Sequence, residues 1–316
     1  MKHDDKVRLR TGVEISKLSL GTAAFGGLYT SVSDLDCRDT VITALNSGIN
    51  FFDTAPHYGK GTSEIRIGKA LARKDRSSFV ISTKIGRLLI PSTNDIDEFF
   101  MDADNKVERK FDFSAGGVRQ SLEESLERLG LDSVDILFIH DPDSHEIEAI
   151  LEAYPELDRM RSEGIIKSIG VGMNQCQIPL RIMAKTDIDL ILIAGRFSLL
   201  DQEAMEELLP SALARSVDVI AAGVFNSGIL ANPVKGAKFD YVPASDELLK
   251  KAMRIREVLE SHQVSLTSAA LQFPLRHPAV KSVLVGCRSG EEVRRNIADF
   301  NKTIENGVWD DLVSIL

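Results

Sequence analysis

Short runs of apolar or β-branched residues alternate along the whole chain with segments whose apolar residues recur at helical spacing. In residues 114–129, for example, Val118, Leu122 and Leu126 form one apolar face of a helix, and Gly130 then ends it. Runs that are apolar on both faces are typical of parallel strands that are covered on each side. Eight runs are predicted to be such strands: residues 17–22, 50–54, 79–83, 135–140, 168–172, 190–194, 218–222 and 281–285. The alternation predicts an α/β fold, a (β/α)8 TIM barrel, formed by residues 1–316 as a single domain.

Three segments depart from this alternation. Before the first barrel strand, residues 7–10 and 13–15 flank Thr11 and Gly12, which predicts a β-hairpin that caps the bottom of the barrel. Residues 86–113 and 224–244 are long loops that follow predicted strands at their carboxyl ends. Barrel active sites lie at that face, so we expect these loops to be functional lids or mobile insertions.

Composition and charge narrow the classes of partner. Hydrophobic residues make up 43% of the chain and charged residues 27%, which are ordinary values for a globular protein. The net charge of −9 disfavours nucleic acid and anionic membrane surfaces as partners. No apolar stretch approaches the roughly 20 residues that span a bilayer, and residues 1–10 lack the apolar region of a secretory signal. The three cysteines lack CxxC spacing, which favours reduced thiols and a cytoplasmic location.

Four chemically complementary residues lie at or just beyond the ends of neighbouring strands. Asp53 and Tyr58 belong to the stretch FFDTAPHYG, Lys84 belongs to ISTK, and His140 belongs to LFIHDPD. Any one of them alone is compatible with a structural role. Because the second, third and fourth strands are neighbours in the predicted barrel, the four side chains are expected to converge at its mouth, which packing alone seldom requires.

The chemistry of these groups suits proton and hydride transfer. A free tyrosine has a pKa near 10, and a nearby ammonium such as that of Lys84 favours the phenolate, so we expect Tyr58 to become a usable acid or base. Asp53 would hold Lys84 in place and keep it charged. His140 would donate a hydrogen bond to the reacting oxygen and orient it.

The motifs that carry these residues resemble those of the aldo-keto reductase family, over nearly the whole chain. The matching stretches are LSLGTAAFGG, GINFFDTAPHYGKGTSEIRIGKAL, STKIGR, SLEESLERLGLDSVDILFIHDPD, LDRMRSEGIIKSIGVGMN and VGCRSGEEVRRNI. The resemblance implies a nicotinamide-dependent oxidoreductase in which Asp53, Tyr58, Lys84 and His140 are the catalytic residues. It implies no metal, and the scattered histidines and cysteines show no spacing typical of metal ligands.

A closer likeness is to the branch that contains D-threo-aldose (L-fucose) 1-dehydrogenases, L-galactose dehydrogenases and pyridoxal 4-dehydrogenases. It is carried by KFDFSAGGVRQSLEESL, IHDPD, AGRFSLLDQ, GVFNSGILANP and AALQFPLRHPAVKSVLVG. That branch implies oxidation of the hemiacetal carbon of a free aldose of the L-fucose, L-galactose or D-arabinose type to a lactone. Three alternatives stay open: a pyridoxal 4-dehydrogenase that forms 4-pyridoxolactone, a general aldehyde or ketone reductase, and a redox-sensing binding subunit with low turnover.

The resemblance also implies where the cofactor binds. Residues 286–296 (GCRSGEEVRRN) are similar to the family's segment for phosphate and ribose, a loop that leads into a helix. Many NADP-using relatives have a basic residue where Glu292 stands, and a carboxylate there would repel a 2′-phosphate, so NAD is predicted over NADP, with Arg288 as the counter-argument. The predicted cofactor contacts are Gly21, Thr22, Ala23, Asn174, Ser227, Gly228, Gly286, Arg288, Ser289, Glu292 and Asn296.

The expected partner is therefore a small molecule, a sugar or a pyridoxal-like ring, bound by a monomer or a homodimer. A sugar needs several hydrogen-bonding groups, whereas a pyridine ring favours an aromatic shelf. Tyr241 is one candidate for that shelf. The predicted substrate contacts are Phe25, Tyr29, His57, Asp141 and Phe225.

Overall fold

Eight parallel strands pair edge to edge and close into a barrel in the computed structural model, which describes residues 1–315. Each predicted run forms one of these strands, with bounds that differ by at most a few residues. The barrel strands, in their order around the barrel, are β3 (Leu18–Gly21), β4 (Phe51–Asp53), β5 (Val80–Ile85), β8 (Ile136–His140), β9 (Ser168–Met173), β10 (Leu190–Ala194), β11 (Asp218–Ala222) and β14 (Val280–Gly286). The predicted TIM barrel is confirmed.

Helices cover the outer face of the barrel. The helix predicted over residues 114–129 begins at Ala115, where the Ser114 hydroxyl accepts a hydrogen bond from the Gly117 amide, and ends at Gly130 with φ +62°. The α-helices are α1 (Asp34–Asn46), α2 (Thr62–Leu71), α3 (Ala115–Leu129), α4 (Glu146–Glu148), α5 (Tyr154–Ser162), α6 (Gln177–Lys185), α7 (Leu208–Ala214), α8 (Asp246–Ser261), α9 (Leu266–Gln272), α10 (Gly290–Phe300) and α11 (Asn306–Val313). None of the helices within residues 1–315 combines the length and the apolar character that crossing a bilayer requires.

An N-terminal hairpin closes the bottom of the barrel, as predicted. Its strands β1 (Lys6–Arg8) and β2 (Glu14–Ser16) pair in antiparallel fashion. Leu9, Val13 and Ile15 pack against apolar side chains in the barrel interior, in a cluster separate from the larger core between sheet and helices. The Arg10 amide also donates to Asp218 at the start of β11. The interior is therefore filled from below and opens at the carboxyl ends of the strands.

The long insertion after β5 folds as a second hairpin at the barrel mouth. Its strands are β6 (Arg87–Pro91) and β7 (Val107–Phe111). Ion pairs fix the connection between them: Lys60–Asp95 at 2.8 Å, Arg109–Asp97 at 2.6 Å and Arg66–Asp102 at 2.6 Å. The hairpin begins at Gly86. Its φ of +104° is strained for any other residue, and a Cβ there would clash with the Phe113 ring.

The insertion after β11 forms the opposite side of the mouth. It contains two short paired strands, β12 (Lys238–Phe239) and β13 (Val242–Pro243). Asp240, between them, forms a 2.6 Å ion pair with Arg196. The Tyr241 ring approaches Tyr29 and Phe99, so this loop meets the first insertion across the mouth. Both insertions thus contribute walls to one opening.

Candidate active site

The structure brings the four predicted catalytic side chains together at the barrel mouth. Asp53 ends β4, Lys84 lies in β5 and His140 ends β8, on three strands that pair in that order. Tyr58 follows in the turn between β4 and α2. Tyr58, Lys84 and His140 line a cavity of about 490 Å³, a size typical of small-molecule sites.

A buried ion pair forms the base of this site. Lys84 Nζ lies 2.6 Å from Asp53 Oδ2, and both side chains are 1% exposed. Lys84 also donates to the Thr54 carbonyl oxygen at 2.8 Å, and Ser82 donates to Asp53 Oδ1 at 2.7 Å. A buried ammonium is tolerated only when it is paired and hydrogen-bonded, and these contacts supply that compensation.

Tyr58 and His140 stand above the pair and face the cavity. Lys84 Nζ lies 4.8 Å from the centre of the Tyr58 ring. The Tyr58 and His140 rings meet edge to face, with centroids 5.8 Å apart. The phenol and the imidazole therefore line the cavity side by side, and the Lys84 ammonium lies over the face of the phenol ring.

Burial sets the protonation states of both groups. It raises the pKa of Tyr58 well above its ordinary value, and the nearby carboxylates of Asp53 and Asp141 raise it further. In the protein alone, burial therefore favours the phenol form of Tyr58, although Arg87 lowers the pKa in the opposite direction. Burial, together with Arg87 and Lys84, lowers the pKa of His140 well below its ordinary value. At neutral pH, Tyr58 is thus a phenol and His140 a neutral imidazole.

The predicted substrate residues separate into two groups. His57 and Asp141 line the cavity. Tyr29 lies beside Tyr241, with ring centroids 6.2 Å apart, outside the cavity lining. Phe25 is a correction: its side chain is fully buried in the main core, because the short helix Ala23–Gly26 turns it inward. Phe225 is a second correction, since it packs against the core clusters on both sides and not against the cavity.

The predicted nicotinamide contacts lie at several places around the mouth. Ala23 and Asn174 line the cavity. The Thr22 hydroxyl is buried and already bonded to the Asp53 carbonyl and Ser63. Ser227 accepts a hydrogen bond from the Tyr241 amide, and a Cβ placed on Gly228 would meet no atom within 4 Å.

The predicted adenosine contacts cluster around the start of α10. Gly286 at the end of β14 is the register partner of Gly21, which was predicted as a cofactor contact without assignment to either end of the cofactor. Ser289 caps α10 by accepting from the Glu292 amide. Glu292 in turn accepts from Arg288, whose Nη2 lies 2.8 Å from its Oε1. The remaining predicted contact is Asn296, whose amide lies 3.2 Å from the Cys287 sulfur.

These residues fit a nicotinamide dinucleotide. The cavity wall contains Gly172, and a Cβ there would come 3.6 Å from Lys84 Cε, so the glycine keeps space open beside the catalytic groups. Asn174 presents an amide that suits a carboxamide, and the N-terminus of α10 favours an anion. Among the described residues, no cluster of three or more His, Cys, Asp or Glu side chains is arranged to hold a metal ion.

Several cavity residues were missed from the sequence. Arg87, Phe99 and Phe100 come from the first insertion, and Asp240 comes from the second. The available indications were an arginine directly after the third strand and an aromatic pair within an acidic loop. Tyr241, considered as an aromatic shelf, does line the cavity.

Comparisons with known proteins agree with this geometry. The sequence model of the aldo/keto reductase family matches residues 17–316. The chain is 38% identical to D-threo-aldose 1-dehydrogenase of a Pseudomonas species, over 99% of this chain and 97% of that protein. It is 40% identical to pyridoxal 4-dehydrogenase of Microbacterium luteolum, over 96% of this chain and 95% of that protein.

A solved structure supports the fold. The holo form of an aldo-keto reductase from Bacillus halodurans superposes with a TM-score of 0.80 and covers 98% of this chain and 96% of its own. At 22% identity, this likeness bears on the fold alone.

Proposed function

This chain belongs to the aldo/keto reductase family, and from that premise we propose that it oxidises the hemiacetal carbon of a free aldose to a lactone. That it is an NAD(P)-dependent oxidoreductase follows from the family and from its dehydrogenase relatives. The observation that carries the finer proposal is the pairing of Tyr58 with a neutral His140 at one wall of a small cavity, above the buried Lys84–Asp53 pair.

In this proposal the two groups hold the oxygen on the reacting carbon. His140 donates a hydrogen bond to that oxygen. Tyr58, after it has given its own proton to solvent, accepts the proton of that oxygen as the carbon–oxygen double bond forms. A bound nicotinamide dinucleotide supplies the hydride acceptor. In the reverse direction, Tyr58 returns the proton to the oxygen. Because burial holds Tyr58 protonated, oxidation is expected to accelerate as the pH rises from 7 to 9, while reduction is not.

The test is NADH or NADPH formation with a panel of free aldoses and pyridoxal. We expect turnover with sugars of the L-fucose, L-galactose or D-arabinose type, and a lactone as the product. Absence of turnover with every sugar, beside activity with simple aldehydes, would contradict the proposal and favour a general reductase. Cofactor binding without turnover of any carbonyl or hemiacetal would favour a redox-sensing role.

Pyridoxal 4-dehydrogenase is the second candidate, and two observations favour it. The cavity lining contains aromatic rings from both insertions, Phe99, Phe100 and Tyr241. The identity to the pyridoxal enzyme of Microbacterium luteolum, 40%, is close to that of the sugar enzyme. Formation of 4-pyridoxolactone at a higher kcat/KM than any sugar would select this candidate.

We propose NAD as the preferred cofactor. Glu292 lies in the first turn of α10, and its carboxylate accepts from both the backbone amide and the side chain of Arg288. A guanidinium that is already paired is less available to a 2′-phosphate, whereas the carboxylate can accept hydrogen bonds from an unmodified ribose. Steady-state kinetics with both cofactors provide the test, and a tenfold or greater preference for NADP would contradict the proposal.

The setting we propose is cytoplasmic, with a small molecule as partner and a monomer or homodimer as the working form. Cys37, Cys176 and Cys287 are all buried and unpaired by disulfides, as suits a reducing compartment. Burial raises the pKa of each thiol to about 12. Size-exclusion chromatography with light scattering would determine the oligomeric state.

A further inference from the structure

Arg87 is a cavity residue outside the catalytic four. It is the first residue of β6, it lines the cavity with Tyr58 and His140, and its side chain is 13% exposed. Nη2 donates to Asp141 Oδ2 at 2.8 Å, and the guanidinium lies 5.2 Å from the centre of the Phe111 ring. Within residues 1–315, Nε is buried without a hydrogen-bond partner. The Asp141 carboxylate and the Phe111 ring thus hold the guanidinium of a residue that lines the cavity.

Asp141 links this arginine to the catalytic histidine. It follows His140 directly. Its backbone φ is +41°, a value that residues other than glycine seldom adopt. Its amide donates to the Gly172 carbonyl, which fixes the turn. Asp141 Oδ2 lies 3.5 Å from His140 Nε2 and 2.8 Å from Arg87 Nη2. The Asp141 carboxylate therefore lies next to the point at which a substrate oxygen would accept a hydrogen bond from His140.

The charges of this pair favour a neutral ligand. The Asp141 carboxylate pairs with Arg87, just as Asp53 pairs with Lys84, so the lysine and the arginine of the described cavity lining are both already neutralised. A hydroxyl group can donate to a carboxylate and accept from a guanidinium at the same time. A phosphate or carboxylate would gain contact with Arg87 but would be repelled by Asp141.

We propose that Arg87 and Asp141 bind the hydroxyl group on the carbon next to the reacting carbon, and so select unphosphorylated 2-hydroxy aldehydes and their cyclic forms. This inference rests on the proposed function, because it takes Tyr58 and His140 as the groups that hold the reacting oxygen. Arg87 donates to the neighbouring oxygen, and Asp141 accepts its proton in a hydrogen bond. When a substrate lacks that hydroxyl, neither Arg87 nor Asp141 gains its hydrogen bond to the substrate.

The test compares two aldehydes that differ only in the 2-hydroxyl group, lactaldehyde and propanal, as substrates for reduction. In the wild-type protein we expect kcat/KM, corrected for carbonyl hydration, to favour lactaldehyde by at least about 100-fold, because a site built for a hydroxyl rejects the analogue that lacks it. In Arg87→Met the ratio should fall at least tenfold, mainly through loss of activity with lactaldehyde. A folded, active Arg87→Met variant with the wild-type ratio would overturn the inference.

Asp141→Asn provides an independent test of the charge argument. Removal of the carboxylate leaves Arg87 as an unpaired cation, so an anionic aldehyde should gain relative to a neutral one. We expect kcat/KM for glyoxylate relative to lactaldehyde to rise at least tenfold over the wild type. A ratio that stays unchanged would mean that Asp141 does not exclude anions, and the inference would be wrong.

Arg109→Met is the matched control. Arg109 lies on the neighbouring strand β7, donates to the His57 carbonyl and pairs with Asp97, but it is not among the cavity-lining residues. Its loss should lower the thermal midpoint without changing the lactaldehyde-to-propanal ratio. A ratio that falls as far as in Arg87→Met would show that any weakening of the hairpin has this effect, and would overturn the inference.

Two further outcomes keep this inference separate from the proposed function. If the wild-type protein oxidises no aldose but Arg87→Met still loses its preference for lactaldehyde, the aldose proposal fails and the role of Arg87 stands. If Arg87→Met does not fold, Arg87→Lys replaces it, since lysine keeps the charge but loses the planar fork. In Arg87→Lys, the ratio of kcat/KM for lactaldehyde to that for propanal should fall at least threefold. A ratio equal to that of the wild type would overturn the inference.

Discussion

Two ion pairs, each between a basic and an acidic side chain, lie at the two ends of the proposed ligand site. Lys84 and Asp53 are 2.6 Å apart and each 1% exposed, whereas Arg288 and Glu292 are 2.8 Å apart and 54% and 29% exposed. In water such a pair contributes about 0.3–0.5 kcal/mol, and it can open when a ligand arrives. In the buried Lys84–Asp53 pair, each side chain stays charged only because the opposite charge lies beside it. The difference teaches that burial, more than distance, decides how strongly the two partners of an ion pair depend on each other.

The sharpest test of the buried end is Tyr58→Phe. The variant keeps the ring near Lys84 but removes the hydroxyl that we propose exchanges a proton with the substrate oxygen beside His140. We expect kcat to fall by about 10³–10⁴-fold with little change in cofactor affinity. Steady-state kinetics and quenching of the Trp309 fluorescence on cofactor binding would measure the two effects. Retained turnover would show that Tyr58 is not the proton donor.

Lys84→Met and Arg288→Met compare the two cations directly. Loss of Lys84 leaves Asp53 buried without a counter-charge, so the free energy of unfolding should fall by about 3–5 kcal/mol. Loss of Arg288 should change it by less than about 0.5 kcal/mol. Urea unfolding followed by circular dichroism measures both. Equal losses in the two variants would remove the distinction drawn from burial.

The pH dependence of stability extends the comparison to the imidazoles at the buried end. Burial lowers the pKa of both His57 and His140 well below the ordinary value of about 6.5. The unfolded chain therefore takes up protons below pH 6.5 that the native state does not. The free energy of unfolding should fall as the pH drops from 6.5 to 5, and the slope for each histidine should approach about 1.4 kcal/mol per pH unit near pH 5.

The difference between variants isolates this effect, because the Asp141 carboxyl, whose pKa burial raises, titrates in the opposite sense. His140→Gln should reduce the slope of the unfolding free energy against pH, between pH 5 and 6.5, by the amount that one histidine contributes. An unchanged slope in His140→Gln would show that this imidazole is protonated in the native state.

The smallest effect is expected at the exposed end. Glu292→Gln removes a charge from the proposed ribose site and frees Arg288. We expect the ratio of kcat/KM for NADP to that for NAD to rise about tenfold, which corresponds to ~1.4 kcal/mol. Glu291→Gln, a neighbouring carboxylate that pairs with Arg295, is the matched control. Equal shifts in both variants would point to a general field effect and not to contact with the ribose.

The sequence was sufficient for the parts of the molecule that periodicity governs. A strand that is apolar on both faces lies between the barrel interior and the outer helices, so the apolar runs were sufficient to predict all eight barrel strands. The order of these strands then predicted that Asp53, Lys84 and His140 lie on neighbouring strands at one rim of the barrel. The N-terminal hairpin followed from Thr11 and Gly12 between two short β-type runs.

Side-chain directions within loops and short helices were not predictable in this way. Phe25 has the right residue type for a substrate wall, but one short helical turn points it into the core. Arg87 and Phe99 reach the cavity through an insertion whose path depends on ion pairs with distant residues such as Arg66 and Lys60. The pKa of Tyr58 depends on how much solvent the fold removes, which residue identity alone does not specify.

The buried cysteines have a practical consequence for oxidation and labelling. With a pKa of about 12, each thiol stays protonated at neutral pH, and only the thiolate reacts readily with peroxides or maleimides. The folded protein should tolerate air without an added reductant. The rate of maleimide labelling would then report how often the barrel opens, since Cys37, Cys176 and Cys287 become reactive only when their surroundings unfold.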